Sequence, residues 1–230
     1  MNVSNNFKKH IVENVYPGRG IVIGRNDNNS WIVVYWIMGR SANSRNRIFK
    51  CKNNIVSTEA ADPSLVEDSS LIIYNVMRDA NYWIIVSNGS HTDTIYKGLM
   101  QGENFFTSLC EEKHEPDAPN YTSRISGGVN RANSDIVLAR ISKSLLADKS
   151  EHYYYRYGHV PPGHGYCVTT YMGDGDPLPA FRGNPFMLPL EGSAKQIANT
   201  YWEGLNADNR ISLMVRSISE FDLQIINKYQ

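Results

Sequence analysis

The chain has 230 residues, 41% of them hydrophobic and 20% charged, which is typical of a globular protein with a substantial core. Lysine plus arginine and aspartate plus glutamate number 23 each, so no net charge favours nucleic acid or an anionic membrane as a partner. No apolar run is long enough for a transmembrane helix, and three widely spaced cysteines favour reduced thiols in a cytoplasmic protein over a disulfide framework.

The first half of the chain predicts two β-hairpins. Residues 21–24 and 31–38 are rich in β-branched and aromatic side chains and flank a cluster of turn formers. Residues 71–77 and 82–86 form a second such pair, joined by residues 78–81. Both pairs are apolar at nearly every position, which indicates strands that are covered on both faces.

Helices and further strands follow. Helices are predicted at residues 92–100, 104–112 and 193–205, and Ser193 is a suitable N-cap for the third. Strands are predicted at residues 136–141, 152–157, 166–172 and 211–218, and loops at 115–121 and 173–189. Hairpins with helices grouped apart predict an α+β fold in which sheets are stacked and helices lie outside.

A polar run at residues 87–94, Ser-Asn-Gly-Ser-His-Thr-Asp-Thr, joins a predicted strand to a predicted helix. Its hydroxyls and free backbone N–H groups fit a site for an anion or a polar small molecule. Helix capping by Ser90 or Thr92, with Asp93 in the first turn, explains part of the run but not all of it. Ser90, His91 and Asp93 are too close in sequence to form a hydrolase triad.

A second polar segment follows the predicted strand at 31–38 and contains Arg40, Arg45 and Arg47. Guanidinium groups bind phosphate and carboxylate well, so the segment is either a nucleotide clamp or a solvated loop. Cys167 lies within a predicted strand, which favours a buried thiol over a nucleophile. No CxxC or HExxH spacing is present, so we predict no metal site.

Six segments, taken together and in this order, resemble the archaeal-type IMP cyclohydrolase family. They are Tyr16-Pro17-Gly18-Arg19-Gly20, Gly24-Arg25-Asn26, Arg40-Ser41 through Asn46-Arg47, Ile73-Tyr74-Asn75, Ser87 to Thr94, and Thr122-Ser123-Arg124-Ile125. The run at 87–94 is the most specific of them. The resemblance covers roughly the first 130 residues well and the remainder loosely.

The family implies a four-layer α/β/β/α sandwich of antiparallel sheets, similar to the N-terminal nucleophile hydrolase fold. The chain is then one domain over residues 1–230. The implied activity is that of a cyclohydrolase in purine biosynthesis, which closes the ring of 5-formamidoimidazole-4-carboxamide ribonucleotide to give IMP. A purine ribonucleotide substrate, assembly into homo-oligomers and the absence of any metal or organic cofactor are also implied.

The resemblance assigns roles to individual residues. As catalytic groups, Arg40 stabilises charge on the formyl oxygen, Tyr74 donates a proton and Glu115 accepts the proton of the attacking nitrogen. The substrate-binding residues are Arg19, Arg45, Arg47, Asn75, Asn88, Ser90, His91, Thr92, Asp93 and Arg124.

Several alternatives stay open. The arginine segment departs from the family pattern, so either Arg45 or Arg47 takes the phosphate-binding role. The loop around Glu115 is spaced differently, so Asp117 is an alternative acid or base. The alternative functions are an amide hydrolase that uses Cys167, a non-catalytic purine-nucleotide binding protein, and a paralogue with a changed substrate.

Overall fold

The computed structural model describes residues 2–66 and 72–229. The helical segments are α1 (Val3–Phe7), which continues as a π-helical segment (Lys8–Val12), α2 (Ala42–Arg45), α3 (His91–Met100) and α4 (Ala194–Gly204), with 3-10 turns at Pro63–Leu65 and Thr107–Leu109. The strands are β1 (Gly20–Arg25), β2 (Trp31–Met38), β3 (Ile48–Lys52), β4 (Ile55–Glu59), β5 (Asn75–Ala80), β6 (Trp83–Ser87), β7 (Arg124–Asn130), β8 (Asp135–Lys143), β9 (Ser150–Tyr157), β10 (His164–Thr169), β11 (Phe186–Pro189), β12 (Arg210–Ser217) and β13 (Asp222–Asn227).

These strands form two antiparallel sheets. The six-stranded sheet has the order β11-β10-β1-β2-β12-β13, and the seven-stranded sheet runs in chain order from β3 to β9. The predicted hairpin of β1 and β2 is confirmed, with Ile23 opposite Val33. No helix among the described residues has both the length and the apolar character needed to cross a membrane.

The apolar runs of β1 and β2 are explained by burial on both faces. Side chains alternate between the faces of a strand, so Ile23 and Tyr35 point into the core between the two sheets. Val22 and Trp36 point the other way and pack in a second core that includes α4. A strand with apolar neighbours on both sides has no polar face, which is why the pattern is continuous.

Helices cover the outer face of each sheet. Ile197 and Tyr201 of α4 pack on the six-stranded sheet, and Ile95 and Leu99 of α3 pack on the seven-stranded one. The layers are therefore α/β/β/α, which confirms the predicted α+β sandwich. Its likeness to N-terminal nucleophile hydrolases stays a prediction.

The helix predicted at 193–205 is confirmed as α4. The Ser193 hydroxyl accepts a hydrogen bond from the Gln196 backbone N–H, and the Gln196 side chain accepts one from the Ser193 N–H. This capping box satisfies two N–H groups that the first turn of a helix leaves without partners.

The helix predicted at 104–112 is wrong, because this stretch contains only the 3-10 turn. The Asn104 Oδ1 atom accepts hydrogen bonds from the backbone N–H groups of Phe106 and Thr107, at 3.0 and 2.9 Å. Such a local side-chain contact competes with the helical pattern. The sequence contains this asparagine, but the apolar spacing masks its effect.

The second hairpin is present with a tighter turn than predicted. Its strands extend through Ala80 and from Trp83, which face one another. Asn81 has a φ of 54°, which asparagine tolerates in a two-residue turn. Residues 78–80 therefore belong to β5 rather than to the turn. Leu71, at the start of the predicted strand, lies outside the described residues.

Five strands were not predicted from the sequence: β3, β4, β7, β11 and β13. β7 contains Gly127 and Gly128, and glycine is uncommon in strands. A Cβ atom at Gly127 would lie 2.7 Å from Ile23 and 2.8 Å from Leu138, so the sheets approach closely there. β11 lies at the end of the predicted 173–189 loop.

Candidate active site

A cavity of about 230 Å³ lies at one end of the two sheets. Because β1 pairs antiparallel with both β2 and β10, the residue before β1 and the residues after the other two strands meet at the same end. The cavity is lined from these segments and from the loop before β7, by Tyr16, Gly18, Arg19, Met38, Arg40, Ser41, Ser44, Arg47, Asp117, Asn120, Thr122, Tyr171 and Leu178.

Arg19 enters the cavity beside a buried carboxylate. Its Nη1 atom lies 2.8 Å from Glu115 Oε1, and the Glu115 side chain is 2% exposed. Burial raises the pKa of the Glu115 carboxyl, and the adjacent guanidinium limits the rise. Glu115 itself does not line the cavity, so it contacts the site through Arg19.

Arg47 is a buried cation at the cavity wall. Its Nε donates to Ser44 O at 2.9 Å and its Nη2 donates to Met38 O at 3.3 Å. Its Nη1 is buried and has no hydrogen-bond partner among the residues that the structure describes. Burial and the nearby Arg19 guanidinium lower the pKa of Arg47. A buried donor beside a second cation is a favourable position for an anion.

Arg40 lies at the exposed rim of the cavity. It forms an ion pair with Asp174, and its guanidinium lies 5.2 Å from the centre of the Tyr16 ring. The side chains of Arg40 and Asp174 are 37% and 49% exposed, so water screens the pair. An incoming anion can therefore replace the carboxylate at low cost.

Tyr74 is buried close to Arg19 and Arg47. Its hydroxyl shares a 2.9 Å hydrogen bond with the hydroxyl of Tyr35, and both phenols are close enough to affect the pKa of Arg19 and Arg47. Tyr74 precedes β5 and does not line the cavity. Burial raises the pKa of Tyr35 well above its ordinary value, so that phenol is neutral.

Asp117, Thr122 and Tyr171 form another part of the cavity wall. The Thr122 hydroxyl donates to Asp117 Oδ2 and is hydrogen-bonded to the Tyr171 hydroxyl. Tyr171 packs against Gly18, which has a φ of +74°, and a Cβ atom there would lie 2.4 Å from the Tyr171 ring. Glycine is therefore required at position 18 for conformation and for space.

The polar run at 87–94 makes its contacts with the protein itself. Asn88 donates to Ser123 O at 3.0 Å and accepts from the Ile125 N–H at 2.7 Å, as a neighbouring strand would. Thr92 is hydrogen-bonded to Ser87 at 2.5 Å. These buried contacts connect the start of α3 and the residues before it to β6 and β7.

His91 and Arg124 lie together below α3. The His91 Nε2 atom is 3.1 Å from Ile125 O, and the Arg124 Nη1 atom is 3.3 Å from His91 Nδ1. A carbonyl only accepts and a guanidinium only donates, so His91 is the neutral Nε2–H tautomer. Burial, followed by the Arg124 guanidinium, lowers the pKa of His91 to about 3.

Asp93 and Asn75 contact each other on the outer sheet face. Asn75 Nδ2 lies 3.0 Å from each Asp93 carboxylate oxygen, and Arg78 Nη1 lies 2.5 Å from Asp93 Oδ1. Ser90 occupies the N-cap position of α3 but makes no side-chain capping bond, so the predicted capping is wrong. Thr92 pairs with Ser87 instead of capping.

The predicted site residues therefore divide into three groups. Those that line the cavity are Arg19, Arg40 and Arg47. Tyr74 and Glu115 lie directly behind it. Those that do not line it are Arg45, Asn75, Asn88, Ser90, His91, Thr92, Asp93 and Arg124, and their contact with substrate stays a prediction that this placement does not support.

Arg45 and Cys167 both point away from the cavity. Arg45 donates to Asp208 O at 2.8 Å and lies against a different surface depression. Cys167 is fully buried in the core between the six-stranded sheet and α4, where burial raises the pKa of its thiol well above the ordinary value. A protonated, enclosed thiol is a poor nucleophile.

Sequence reasoning assigned no role to six polar side chains that line the cavity: Tyr16, Ser41, Ser44, Asn120, Thr122 and Tyr171. Tyr16, Ser41, Ser44 and Thr122 belong to segments that carry the family resemblance, so their positions held a signal. Tyr171 had none, because it follows a strand and reaches the cavity only through the pairing of β10 with β1. Within residues 2–66 and 72–229, no cluster of His, Cys, Asp or Glu suits a metal ion.

Comparisons with known proteins identify the family of this chain. The family model described as IMP cyclohydrolase-like protein matches residues 16–222. The IMP cyclohydrolase of Methanothrix thermoacetophila is 33% identical over 143 residues, which are 58% of this chain and 70% of that protein. The IMP cyclohydrolase of Haloquadratum walsbyi is 27% identical over 193 residues, 82% of this chain and 84% of that protein. The chain belongs to the IMP cyclohydrolase-like protein family.

Proposed function

We propose that this protein is an IMP cyclohydrolase, which closes the ring of 5-formamidoimidazole-4-carboxamide ribonucleotide with loss of water. The observation that carries the proposal is Arg47, a buried cation at the cavity wall whose Nη1 donor has no partner among the described residues. Family membership supplies the reaction, and this donor supplies a place for the substrate's phosphate.

The phosphate subsite is built around Arg47. Ser41 and Ser44 line the cavity together with Arg47, and their hydroxyls are held by the capping box of α2. The neighbouring carboxylates are otherwise engaged: Glu115 with Arg19, and Asp174 with Arg40. Arg47 is thus the guanidinium with the most to gain from an anion, which favours it over Arg45.

The reaction depends more on orientation of the two reacting groups than on strong chemical activation of either one. The carboxamide nitrogen is a weak nucleophile, and it must attack the formyl carbon of the neighbouring group. A cavity that holds both groups in one plane makes the attack effectively intramolecular. The formyl oxygen then gains negative charge, which a fixed guanidinium stabilises.

Arg40, at the rim, is the guanidinium we assign to the formyl oxygen. Tyr74 and Glu115 act from behind the cavity, where the Tyr35–Tyr74 pair and the Arg19–Glu115 pair adjoin the arginines. Glu115 holds Arg19 in position, and burial raises the pKa of its carboxyl while the Arg19 guanidinium limits the rise. Asp117, unlike Glu115, lines the cavity, so substrate can reach its carboxylate directly.

We also infer that the chain is one domain, because a single core is shared by both sheets. Assembly into homo-oligomers and a cytoplasmic location remain predictions. An amide hydrolase that uses Cys167 is disfavoured by the burial of that thiol away from the cavity.

The decisive experiment is an assay of the purified chain with the formamido ribonucleotide, in which IMP is quantified by chromatography. We expect IMP to form faster than in buffer alone. The rate should stay above that background when a metal chelator is added. An unchanged background rate would refute the proposal. Saturable binding of IMP without turnover would instead identify a purine-nucleotide binding protein.

A further inference from the structure

Three side chains that line the cavity are linked to one another by hydrogen bonds. Tyr171, Thr122 and Asp117 come from the segment after β10 and from the loop before β7. Tyr171 and Thr122 are 6% and 2% exposed. Their hydroxyls are hydrogen-bonded to one another, and Thr122 is hydrogen-bonded in turn to Asp117 Oδ2.

The direction of these hydrogen bonds is set by the donors available. A carboxylate only accepts, so the single hydroxyl proton of Thr122 points to Asp117. Thr122 must then accept from Tyr171, which donates its own proton inward. The Tyr171 oxygen therefore presents a lone pair, and not a proton, to a ligand in the cavity.

Burial raises the pKa of Tyr171 above its ordinary value, so the phenol keeps its proton at neutral pH. The other Asp117 oxygen, Oδ1, accepts from the Thr122 backbone N–H at 2.6 Å. That contact anchors the loop, and it leaves Oδ2 as the end of the line. A neutral phenol, a hydroxyl and a carboxylate in series can pass a proton along. The middle hydroxyl receives one proton as it gives up another, so it carries no lasting charge.

We propose that Tyr171, Thr122 and Asp117 form a proton relay that takes the proton from the attacking carboxamide nitrogen and stores it on Asp117. This inference rests on the proposed function. All three side chains line the cavity, and Tyr171 is the one that we place against the reacting nitrogen, so Thr122 and Asp117 act through it.

In ring closure the carboxamide nitrogen forms a bond to the formyl carbon, and the carbonyl π electrons move onto the formyl oxygen. The N–H proton passes to Tyr171, the Tyr171 proton to Thr122, and the Thr122 proton to Asp117. Reversal of the relay returns that proton to the oxygen as a hydroxyl. The formamido nitrogen then forms its C=N bond, and its proton leaves with the hydroxyl as water.

The relay is tested with three variants of the line and two matched controls. Thr122→Val keeps the shape but removes the hydroxyl, and Thr122→Ser restores it. Tyr171→Phe and Asp117→Asn remove the two ends. Tyr201→Phe is the control for the tyrosine change, because its buried hydroxyl donates to Pro189 O at 2.9 Å and takes no part in the relay.

We expect Thr122→Val, Tyr171→Phe and Asp117→Asn to lower kcat by about 100-fold, the lower range for general base catalysis, with KM changed by less than about threefold. Thr122→Ser and Tyr201→Phe should stay close to the parent chain in kcat. Tm is measured for each, so that a loss caused by unfolding is recognised.

Two results would overturn the relay while the proposed function stands: equal kcat for Thr122→Val and Thr122→Ser in an active enzyme, or a loss that appears in KM alone. If the parent chain makes no IMP from the formamido ribonucleotide, the proposed function fails and the relay fails with it. The activity of the parent chain thus separates the two failures.

Discussion

Arg19 and Glu115 form an ion pair of 2.8 Å that joins the two sheets at the cavity. Arg19 precedes β1 of the six-stranded sheet, and Glu115 lies in the loop before β7 of the seven-stranded sheet. Both side chains are largely buried, at 13% and 2% exposure. The pair therefore places a cation in the cavity and fixes the distance between the sheets there.

Removal of one member of this pair should destabilise the protein strongly. Glu115→Leu leaves Arg19 buried without a carboxylate, which costs about 3–5 kcal/mol in free energy of unfolding. The double variant Arg19→Met with Glu115→Leu should recover much of that loss, since no buried charge remains. Urea unfolding of the four proteins measures the coupling. Additive effects would show that the pair does not act as a unit.

Arg47→Met should raise KM, whereas Arg45→Met should leave it unchanged. Loss of a buried guanidinium contact to phosphate costs about 1.5–3 kcal/mol, so we expect KM of Arg47→Met to rise roughly 10- to 100-fold. Its Tm should not fall much, because the change also removes an unpaired buried cation. Arg45→Met should keep the parent KM, since Arg45 contacts Asp208 O instead. Steady-state kinetics and thermal unfolding decide between them, and a larger KM effect at Arg45 would contradict the assignment.

Arg40 and Asp174 offer a test of the rim. Arg40→Ala should lower kcat by about 100-fold or more if its guanidinium stabilises the formyl oxygen. Asp174→Ala removes the partner and should leave kcat intact or raise kcat/KM by a few fold, because exposed pairs contribute only about 0–1 kcal/mol. The two variants are compared in one assay at fixed ionic strength. Similar losses in both would indicate that the ion pair, and not the guanidinium, is needed.

Tyr74→Phe and Tyr35→Phe remove opposite ends of one hydrogen bond of 2.9 Å. Each should lower the free energy of unfolding by about 1 kcal/mol, the usual contribution of such a bond. If Tyr74 donates a proton in the reaction, Tyr74→Phe alone should show a large loss of kcat. Equal kcat values for the two variants at equal Tm would assign the pair a structural role.

His91 should make stability depend on pH. Its pKa is lowered by burial to about 3, whereas in the unfolded chain it titrates near its ordinary value of 6.5. The unfolded chain therefore binds an extra proton between these values, and stability that is complete above pH 6.5 is lost as pH falls. From pH 7.5 to pH 5 this group accounts for a loss of about 2 kcal/mol.

The matched variant is His91→Gln, whose side-chain amide can still donate to Ile125 O without binding a proton. Urea unfolding of both proteins at the two pH values isolates the contribution of His91. We expect the variant to lose about 2 kcal/mol less than the parent chain over this range. The same pH dependence in both proteins would show that folding does not shift the pKa of His91.

Much of the fold could be predicted from local pattern. β2 is apolar at every position because both of its faces are buried, and α4 carries a capping box that begins at Ser193. β7 could not be predicted, because glycine does not favour strands in a sequence pattern. Gly127 is nevertheless needed there, since the two sheets approach too closely for a side chain. The helix at 104–112 failed because a single asparagine side chain outweighs the apolar spacing.

The polar run at 87–94 shows the limit of a motif. Its residue types fit ligand binding and structural hydrogen bonding equally well, since both need small donors and acceptors. Asn88 and His91 both bond to the backbone of Ile125 in β7, over 30 residues further along the chain. The sequence contains those partners without indicating that they are adjacent.

By itself, the sequence determined the α+β class, the strands with two apolar faces, the helix α4 and the family, because these depend on spacing and residue order along the chain. Only the tertiary structure decided which polar groups face the cavity. Arg45 and Arg47 are two residues apart, yet one bonds to Asp208 and the other turns inward to Met38. The direction of a side chain is set by distant contacts, and strand pairing is what brings those contacts together.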